Sequence, residues 1–268
     1  DYAIVASEDF PSNNRDGIVY IFERDANGTW VEETFFDRAG TGHGIGHDVD
    51  IAGSTAVVSA DDNSLAGQYA LILERDAGGT WSEGPTLTPS DLTSTHQFGA
   101  SVSISGDYVI VGAPRANEYT GSAYIFERSA GSWPANETAT LVTSDAAGGQ
   151  FGAGVAISGT TAAVGAPYRE AGGGLQPGAV YVFERDDSGA WNEAAILTPS
   201  EPVTDLELGR VVAVDGDTIA VSAPNYSEVA SFAGAVFVFS RDESGSWHET
   251  QRIEPPDIAA SDNFGESI

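Results

Sequence analysis

One phrase occurs five times in this chain and limits what it can fold into. The copies are ERDANGTW, ERDAGGTW, ERSAGSW, ERDDSGAW and SRDESGSW, closing at Trp30, Trp81, Trp133, Trp191 and Trp247. An apolar-rich segment precedes each one: IVYIFER after Gly17, QYALILER after Gly67, SAYIFER after Gly121, AVYVFER after Gly178 and AVFVFSR after Gly234. Further upstream lies a paired element: FGASVSISGDYVIVGAP from Phe98, FGAGVAISGTTAAVGAP from Phe151 and LGRVVAVDGDTIAVSAP from Leu208, with a divergent copy, IGHDVDIAGSTAVVSAD, from Ile45. A unit recurring in phase every 50 residues or so cannot bury its apolar faces alone and must stack on its neighbours.

Each unit reads as four strands. The first is the FGxSVxI segment, the second the VIVGAP segment, the third YIFER, and the fourth begins at the Trp. A Gly–polar pair such as Gly106-Asp107 or Gly216-Asp217 joins the first two as a tight hairpin. The Asp-x-x-Gly-x-Trp phrase joins the last two, its Gly supplying a positive φ. Four antiparallel strands repeated around an axis describe a propeller blade. The expected fold is therefore all-β: one propeller domain over residues 1–268, with blades at about 1–43 plus 264–268, 44–97, 98–150, 151–207 and 208–263. Residues 264–268 repeat the start of a first strand, while residues 1–7 repeat the second-strand segment DYVIVGA of Asp107. The C-terminal strand is thus expected to pair into the N-terminal blade and close a five-bladed ring without a bare edge. The alternative is part of a seven-bladed propeller. A chain that opens inside a strand also reads as a mature or excised segment.

The phrases Phe98-Gly99…Gly112-Ala113-Pro114 and Phe151-Gly152…Gly165-Ala166-Pro167 resemble the FG-GAP repeat of the integrin α-chain propeller, in the variant found in bacterial and archaeal surface proteins. The resemblance implies a surface-exposed binding fold. It also implies calcium, since members that bind the ion carry a DxDxDG-like loop between the first and second strands. Here those loops are Ser105-Gly106-Asp107, Ser158-Gly159-Thr160 and Asp215-Gly216-Asp217. They are too short to supply the six to eight oxygens Ca²⁺ takes, so no calcium, and no other cofactor, is expected.

Charge narrows the partners. The chain has 40 acidic against 11 basic residues and a net charge of -29, and all its basic side chains besides His are Arg. A phosphate backbone needs neutralising cations, so nucleic acid is excluded as a partner. No apolar run approaches the ~18 residues that span a bilayer, so direct membrane insertion is not expected. Dense carboxylates suit an acidic, extracellular or halophilic protein. There is no Cys, so disulfides and thiolate metal sites are ruled out. Asn27, Asn136 and Asn225 open Asn-x-Ser/Thr triplets, candidate glycosylation sites in a secreted glycoprotein.

Residues present in every blade build blades; function belongs to what differs. The loops joining strands two and three vary most, and the integrin resemblance points to the same face. Arg115, Tyr119, Tyr168, Arg169 and Tyr226 are the candidate contacts there, being residue types that carry interfaces. His43, His47 and His96 form a second candidate, a metal site with neighbouring carboxylates. No GxSxG or HExxH signature is present, so the chain does not read as an enzyme. Asp48, Asp50, Glu207 and Asp215, in or near innermost strands, keep a carbohydrate-active alternative with axial carboxylates in view. The leading reading is an extracellular adhesion or binding module for a protein or glycan. A structural spacer in a larger surface or filament protein, contacting other copies of itself, is the further alternative.

Overall fold

The computed structural model describes residues 1–7, 17–37, 44–61, 68–93, 96–145, 148–171, 176–200, 205–227, 232–257 and 259–268. Five antiparallel sheets follow one another along the chain. The first has three strands, β1 (Tyr2–Ser7), β2 (Ile18–Arg24) and β3 (Trp30–Asp37). The second comprises β4 (Ile45–Ala52), β5 (Thr55–Asp61), β6 (Gln68–Arg75) and β7 (Trp81–Leu87). The third comprises β8 (Val102–Ser105), β9 (Tyr108–Ala113), β10 (Ser122–Glu127) and β11 (Ala139–Leu141). The fourth comprises β12 (Val155–Ser158), β13 (Thr161–Ala166), β14 (Ala179–Arg185) and β15 (Trp191–Leu197). The fifth comprises β16 (Val212–Asp215), β17 (Thr218–Ala223), β18 (Ala235–Arg241) and β19 (Trp247–Ile253). Strands in each sheet lie in chain order. This is the all-β propeller architecture that the repeat implies, with a single four-residue helical turn, α1 (Ala116–Tyr119), among the described residues.

Local chemistry explains the strand ends. Gly53, Gly106, Gly159 and Gly216 have positive φ and the residue after each does not, the pattern of a type II′ turn, whose twist matches the strands it joins. The third and fourth strands are joined by a turn built on an Asp. Asp186 Oδ1 accepts the N–H groups of Ser188 (2.9 Å) and Ala190 (3.0 Å), and Asp242 Oδ1 those of Ser244 (2.8 Å) and Ser246 (3.0 Å). The third sheet departs from the expectation that the fourth strand starts at the Trp. There Ser129 replaces the Asp and Pro134 follows Trp133, removing a backbone donor, and β11 begins only at Ala139.

The FG and GAP elements belong to different sheets and meet between them. A Cβ built on Gly112 would land on the carbonyl oxygen of Gly152, so the glycine lets the next blade's FG turn press against this blade's second strand. Phe151 forms a parallel bridge with Gly121, as Leu208 does with Gly178. Apolar side chains then fill four layers, one between each pair of successive sheets. Val19, Ile21, Val58, Leu71, Leu73 and Trp81 join the first to the second. Ile72, Leu87, Val111, Tyr124, Phe126 and Trp133 join the second to the third. Ile125, Leu141, Phe151, Val164 and Tyr181 join the third to the fourth, and Val182, Leu197, Leu208, Val221 and Phe237 the fourth to the fifth.

Ring closure does not follow the expectation. β1 pairs with β2 alone and is the edge of its sheet; residues 264–268 form no strand with it. Instead Phe264 bridges to Gly234 and donates its N–H to the Ala233 carbonyl (2.8 Å), seated on the fifth sheet as Phe151 is on the third. Inner strands pack β1 on β4, β4 on β8, β8 on β12 and β12 on β16. Among the described residues no comparable contact joins β16 to β1. β8, β12 and β16 begin four residues after Phe98, Phe151 and Leu208, and the position in that register after Phe264 is Ile268.

Candidate functional site

The loops between second and third strands share one face with the connectors between blades. Arg115 N–H donates to the His96 carbonyl (3.1 Å), Tyr168 N–H to Gly149 (3.1 Å), and Leu208 N–H to Pro177 (3.1 Å), so the third and fourth of these loops are stitched to connectors. The five sequence candidates fall on this face but differ in what they offer. Arg115 and Tyr119 are exposed, the guanidinium lying 5.8 Å from the Tyr119 ring centroid. Tyr168 is half-buried and its hydroxyl donates to Glu207 Oε1 (3.3 Å); burial first, then the Glu207 charge, raises its pKa.

Arg169 and Tyr226 are structural. Arg169 Nη2 and Nε hold Asp145 Oδ2 at 2.6 and 2.9 Å, Nε also reaches the Tyr181 hydroxyl (2.9 Å), and that hydroxyl donates to Asp145 Oδ1 (2.8 Å). Tyr226 is 1% exposed, edge-on to Phe237 and beneath the Arg252 guanidinium, 4.7 Å from its centroid. As a surface contact Tyr226 is therefore corrected: its ring is buried against Phe237. The Asp partners escaped the sequence reading. Asp145 anchors Tyr181 as Asp91 anchors Tyr124 (2.9 Å), and burial, reinforced by these acceptors, pushes both phenols well above their ordinary pKa. The signal was present in Thr-Pro-Ser-Asp91 and Thr-Ser-Asp145, which recur after the fourth strand.

His43 lies outside the described residues, His47 is exposed on β4, and His96 is buried with Nδ1 lacking a protein partner. Among the described residues no group of three His, Asp or Glu side chains is placed to hold a metal. The axial carboxylates are bound to backbone. Asp48 Oδ2 accepts the Val102 N–H (2.7 Å), and Asp50 Oδ2 accepts the Ile104 N–H (2.8 Å) and the Ser103 hydroxyl (2.9 Å). Glu207 is engaged by Tyr168 and Arg210, and Asp215 is exposed at the end of β16. Asn27 and Asn136 are exposed, whereas Asn225 is half-buried.

The repeated residues behave as scaffold. Arg75 pairs with Glu33 (3.4 Å), Arg185 with Glu127 (3.0 Å) and Arg241 with Glu184 (3.1 Å), each reaching the preceding sheet. Arg24 and Arg128 instead pair with Asp1 (3.8 Å) and Asp107 (2.7 Å) of their own sheets. Trp81 donates to Glu33 Oε2 (3.3 Å), while the buried indole N–H groups of Trp133 and Trp247 have no protein acceptor among the described residues.

Comparison with known proteins agrees with this geometry. The FG-GAP repeat model matches residues 81–126, 135–183 and 191–239, together more than half of the chain. Each matched segment runs from the outer region of one sheet to the third strand of the next, so the sequence repeat straddles the blade boundary where the FG and GAP elements meet. No curated protein matches the chain. A solved structure of a protein from Lactobacillus plantarum is similar in fold, with a TM-score of 0.56 at 13% identity, covering 96% of this chain and 69% of that one. By repeat sequence and by blade architecture, the chain belongs to the FG-GAP repeat family.

Proposed function

We propose that this chain is an extracellular or cell-surface binding module that engages a protein or glycan through its loop and connector face, with Arg115 and Tyr119 as the principal contacts. The observation that carries the reading is the turn α1. Asn117, Glu118 and Tyr119 take positive φ in succession, at 50°, 57° and 73°. Left-handed angles cost roughly 1–2 kcal/mol per residue bearing a Cβ, less for Asn. Such conformations persist where the surroundings hold them, and they cluster at functional sites. Here Gly121 N–H donates to the Ala116 carbonyl (2.9 Å), Asn117 Nδ2 to Ser122 Oγ (2.9 Å) and the Thr120 hydroxyl to the Asn117 carbonyl (2.8 Å).

What these bonds hold out is a Tyr that is 60% exposed, with a guanidinium over its ring. That pair offers a broad apolar surface and directional donors already in place, which lowers the ordering cost of binding. The acidic field favours neutral or basic ligands. The reading calls for no catalytic group, calcium or other cofactor. The test is a glycan and protein binding panel with the wild-type chain and the Arg115→Ala/Tyr119→Ala variant, each with and without EDTA. We expect a ligand whose affinity falls at least about tenfold in the variant and is indifferent to EDTA. A wild-type chain that binds nothing on the panel, or a variant that binds equally well, sinks the proposal.

A further inference from the structure

The connector between the third and fourth sheets lacks a side chain where its equivalents carry one. Two places before Phe98, Phe151 and Leu208 stand His96, Gly149 and Leu206. His96 and Leu206 are buried side chains. Gly149 instead has a φ of +85°, and a Cβ built on it would fall 2.2 Å from the backbone nitrogen of Arg169 and 2.6 Å from the carbonyl carbon of Tyr168. Only a residue without a Cβ lets the loop after Pro167 lie this close to the connector. The Tyr168 N–H then donates to the Gly149 carbonyl (3.1 Å). Two residues on, the Phe151 N–H donates to the carbonyl of Thr120, at the end of α1 (3.1 Å), and Phe151 bridges to Gly121. Residues 149–151 thus hold α1 on one flank and Tyr168 on the other.

Tyr168 is fixed at both ends. Its N–H rests on Gly149 and its hydroxyl on Glu207 Oε1 (3.3 Å), while the next residue, Arg169, is gripped by Asp145 and Tyr181. Tyr168 and Arg115 hold the same place in successive blades, each directly after the GAP proline, Pro167 and Pro114. A half-exposed ring held in this way loses little freedom when a ligand meets it. Gly148, one residue earlier, also has a positive φ, +59°, but its Cβ would meet only Thr120, at 3.4 Å, an ordinary contact.

We propose that Gly149 is a positioning residue that joins α1 and Tyr168 into one binding surface, on which Tyr168 touches the ligand alongside Arg115 and Tyr119. The inference rests on the loop-face reading and extends it from one blade to two. A side chain at position 149 drives the loop and the connector apart. The Tyr168 N–H then loses the Gly149 carbonyl, and the ring shifts relative to Tyr119. A ligand matched to three preset groups meets two in place and one displaced, and affinity falls because the surface must be reordered on binding.

The probe is the glycan or protein of the panel that separates the wild type from Arg115→Ala/Tyr119→Ala. Its affinity is measured for Gly149→Ala, Gly148→Ala and Tyr168→Ala, together with amide hydrogen exchange of each chain without the probe. Both glycine variants force Ala into a left-handed conformation, so backbone strain is common to them and only Gly149→Ala collides with the Tyr168 loop. We expect Gly149→Ala and Tyr168→Ala each to lose at least about tenfold in affinity, and Gly148→Ala to bind as the wild type does. The Tyr168 N–H should exchange at least about tenfold faster in Gly149→Ala and at the wild-type rate in Gly148→Ala. Equal losses in the two glycine variants overturn the proposal, since strain alone would explain them. Wild-type affinity in Tyr168→Ala also overturns it, and this variant, at a half-exposed side chain, decides the matter even where Gly149→Ala does not fold. If Arg115→Ala/Tyr119→Ala loses the probe while Gly149→Ala and Tyr168→Ala keep it, the proposal falls and the loop-face reading stands. A panel on which the wild type binds nothing removes both.

Discussion

Replacing Trp81 by Ala and, separately, Trp30 by Ala makes one chemical change at equivalent positions of two successive blades. Trp81 is 6% exposed and Trp30 47%. The difference is about two-fifths of an indole side chain, roughly 100 Å², and at 25 cal/mol/Å² it corresponds to about 2.5 kcal/mol. Trp81 also stands edge-on to Tyr2 with centroids 5.6 Å apart, a geometry that adds about 1 kcal/mol. Its loss further strips Glu33 of an indole donor. Trp81→Ala is therefore expected to cost about 4–5 kcal/mol, in the range for deleting a buried Trp, and Trp30→Ala about 1 kcal/mol. Equilibrium urea unfolding followed by circular dichroism reads both. Equal costs for the two variants would refute the reasoning, since they would mean the first sheet is covered as fully as the second. A cost below about 1 kcal/mol for Trp81→Ala would show that the stacked layers do not carry the stability assigned to them.

The acidic turns give a pH dependence of definite sign. Asp186 is held at about 2, chiefly by the Ser188 hydroxyl and the Ala190 N–H, and Asp25 and Asp242 are lowered in the same way, first by the Thr29 N–H and the Ser244 hydroxyl respectively. A depressed carboxylate stabilises the fold above its ordinary value near 4 and loses that contribution as pH falls toward 2, so melting temperature should drop across that window and the slope should lessen in Asp186→Ala. Asp48 works the other way: burial raises it, so its ionisation opposes folding, and the contribution present below about 4 is lost as pH rises through its raised value. Asp48→Ser, which takes the residue of the next copy, should gain more at pH 7 than at pH 4 in thermal melts; a larger gain at pH 4 would contradict the assignment.

Blade number and strand order were legible because each rests on residues repeated in phase. What stayed hidden depended on neighbours that only the third dimension supplies. Trp30 reads in the sequence as an equivalent of Trp81, and nothing local says that it is 47% exposed where Trp81 is buried. Tyr226 reads as a loop aromatic, yet its ring fills the space beside Phe237. The tail resembles a first strand, yet Phe264 seats on Gly234 of the fifth sheet and residues 264–268 form no strand with β1. On the loop face, residue type alone did not tell exposed side chains from anchored ones. The sequence could not separate Arg115 and Tyr119, which face solvent, from Arg169, which an Asp and a Tyr hold in place.

The inner strands show why acidic residues at a propeller axis need not form a site. Asp48 and Asp50 each give an oxygen to a backbone N–H of β8, and Ser101 and Ser103 do the same for β12, to Val155 (3.2 Å) and Ile157 (3.3 Å). The carboxylates are thus a variant of a hydroxyl's role, and their charge is incidental to the blade contact they make. In the fourth copy the corresponding positions are Gly154 and Ala156, which have no oxygen to offer, and only Ser158 reaches across, to the Gly216 N–H (3.3 Å). Ser105 adds a third hydroxyl, accepting the Gly159 N–H (3.0 Å), so among the described residues these side-chain links number three between the third and fourth sheets and one between the fourth and fifth. At the axis the fifth sheet therefore relies on its apolar layer, while farther out Arg241 still reaches Glu184 of the fourth.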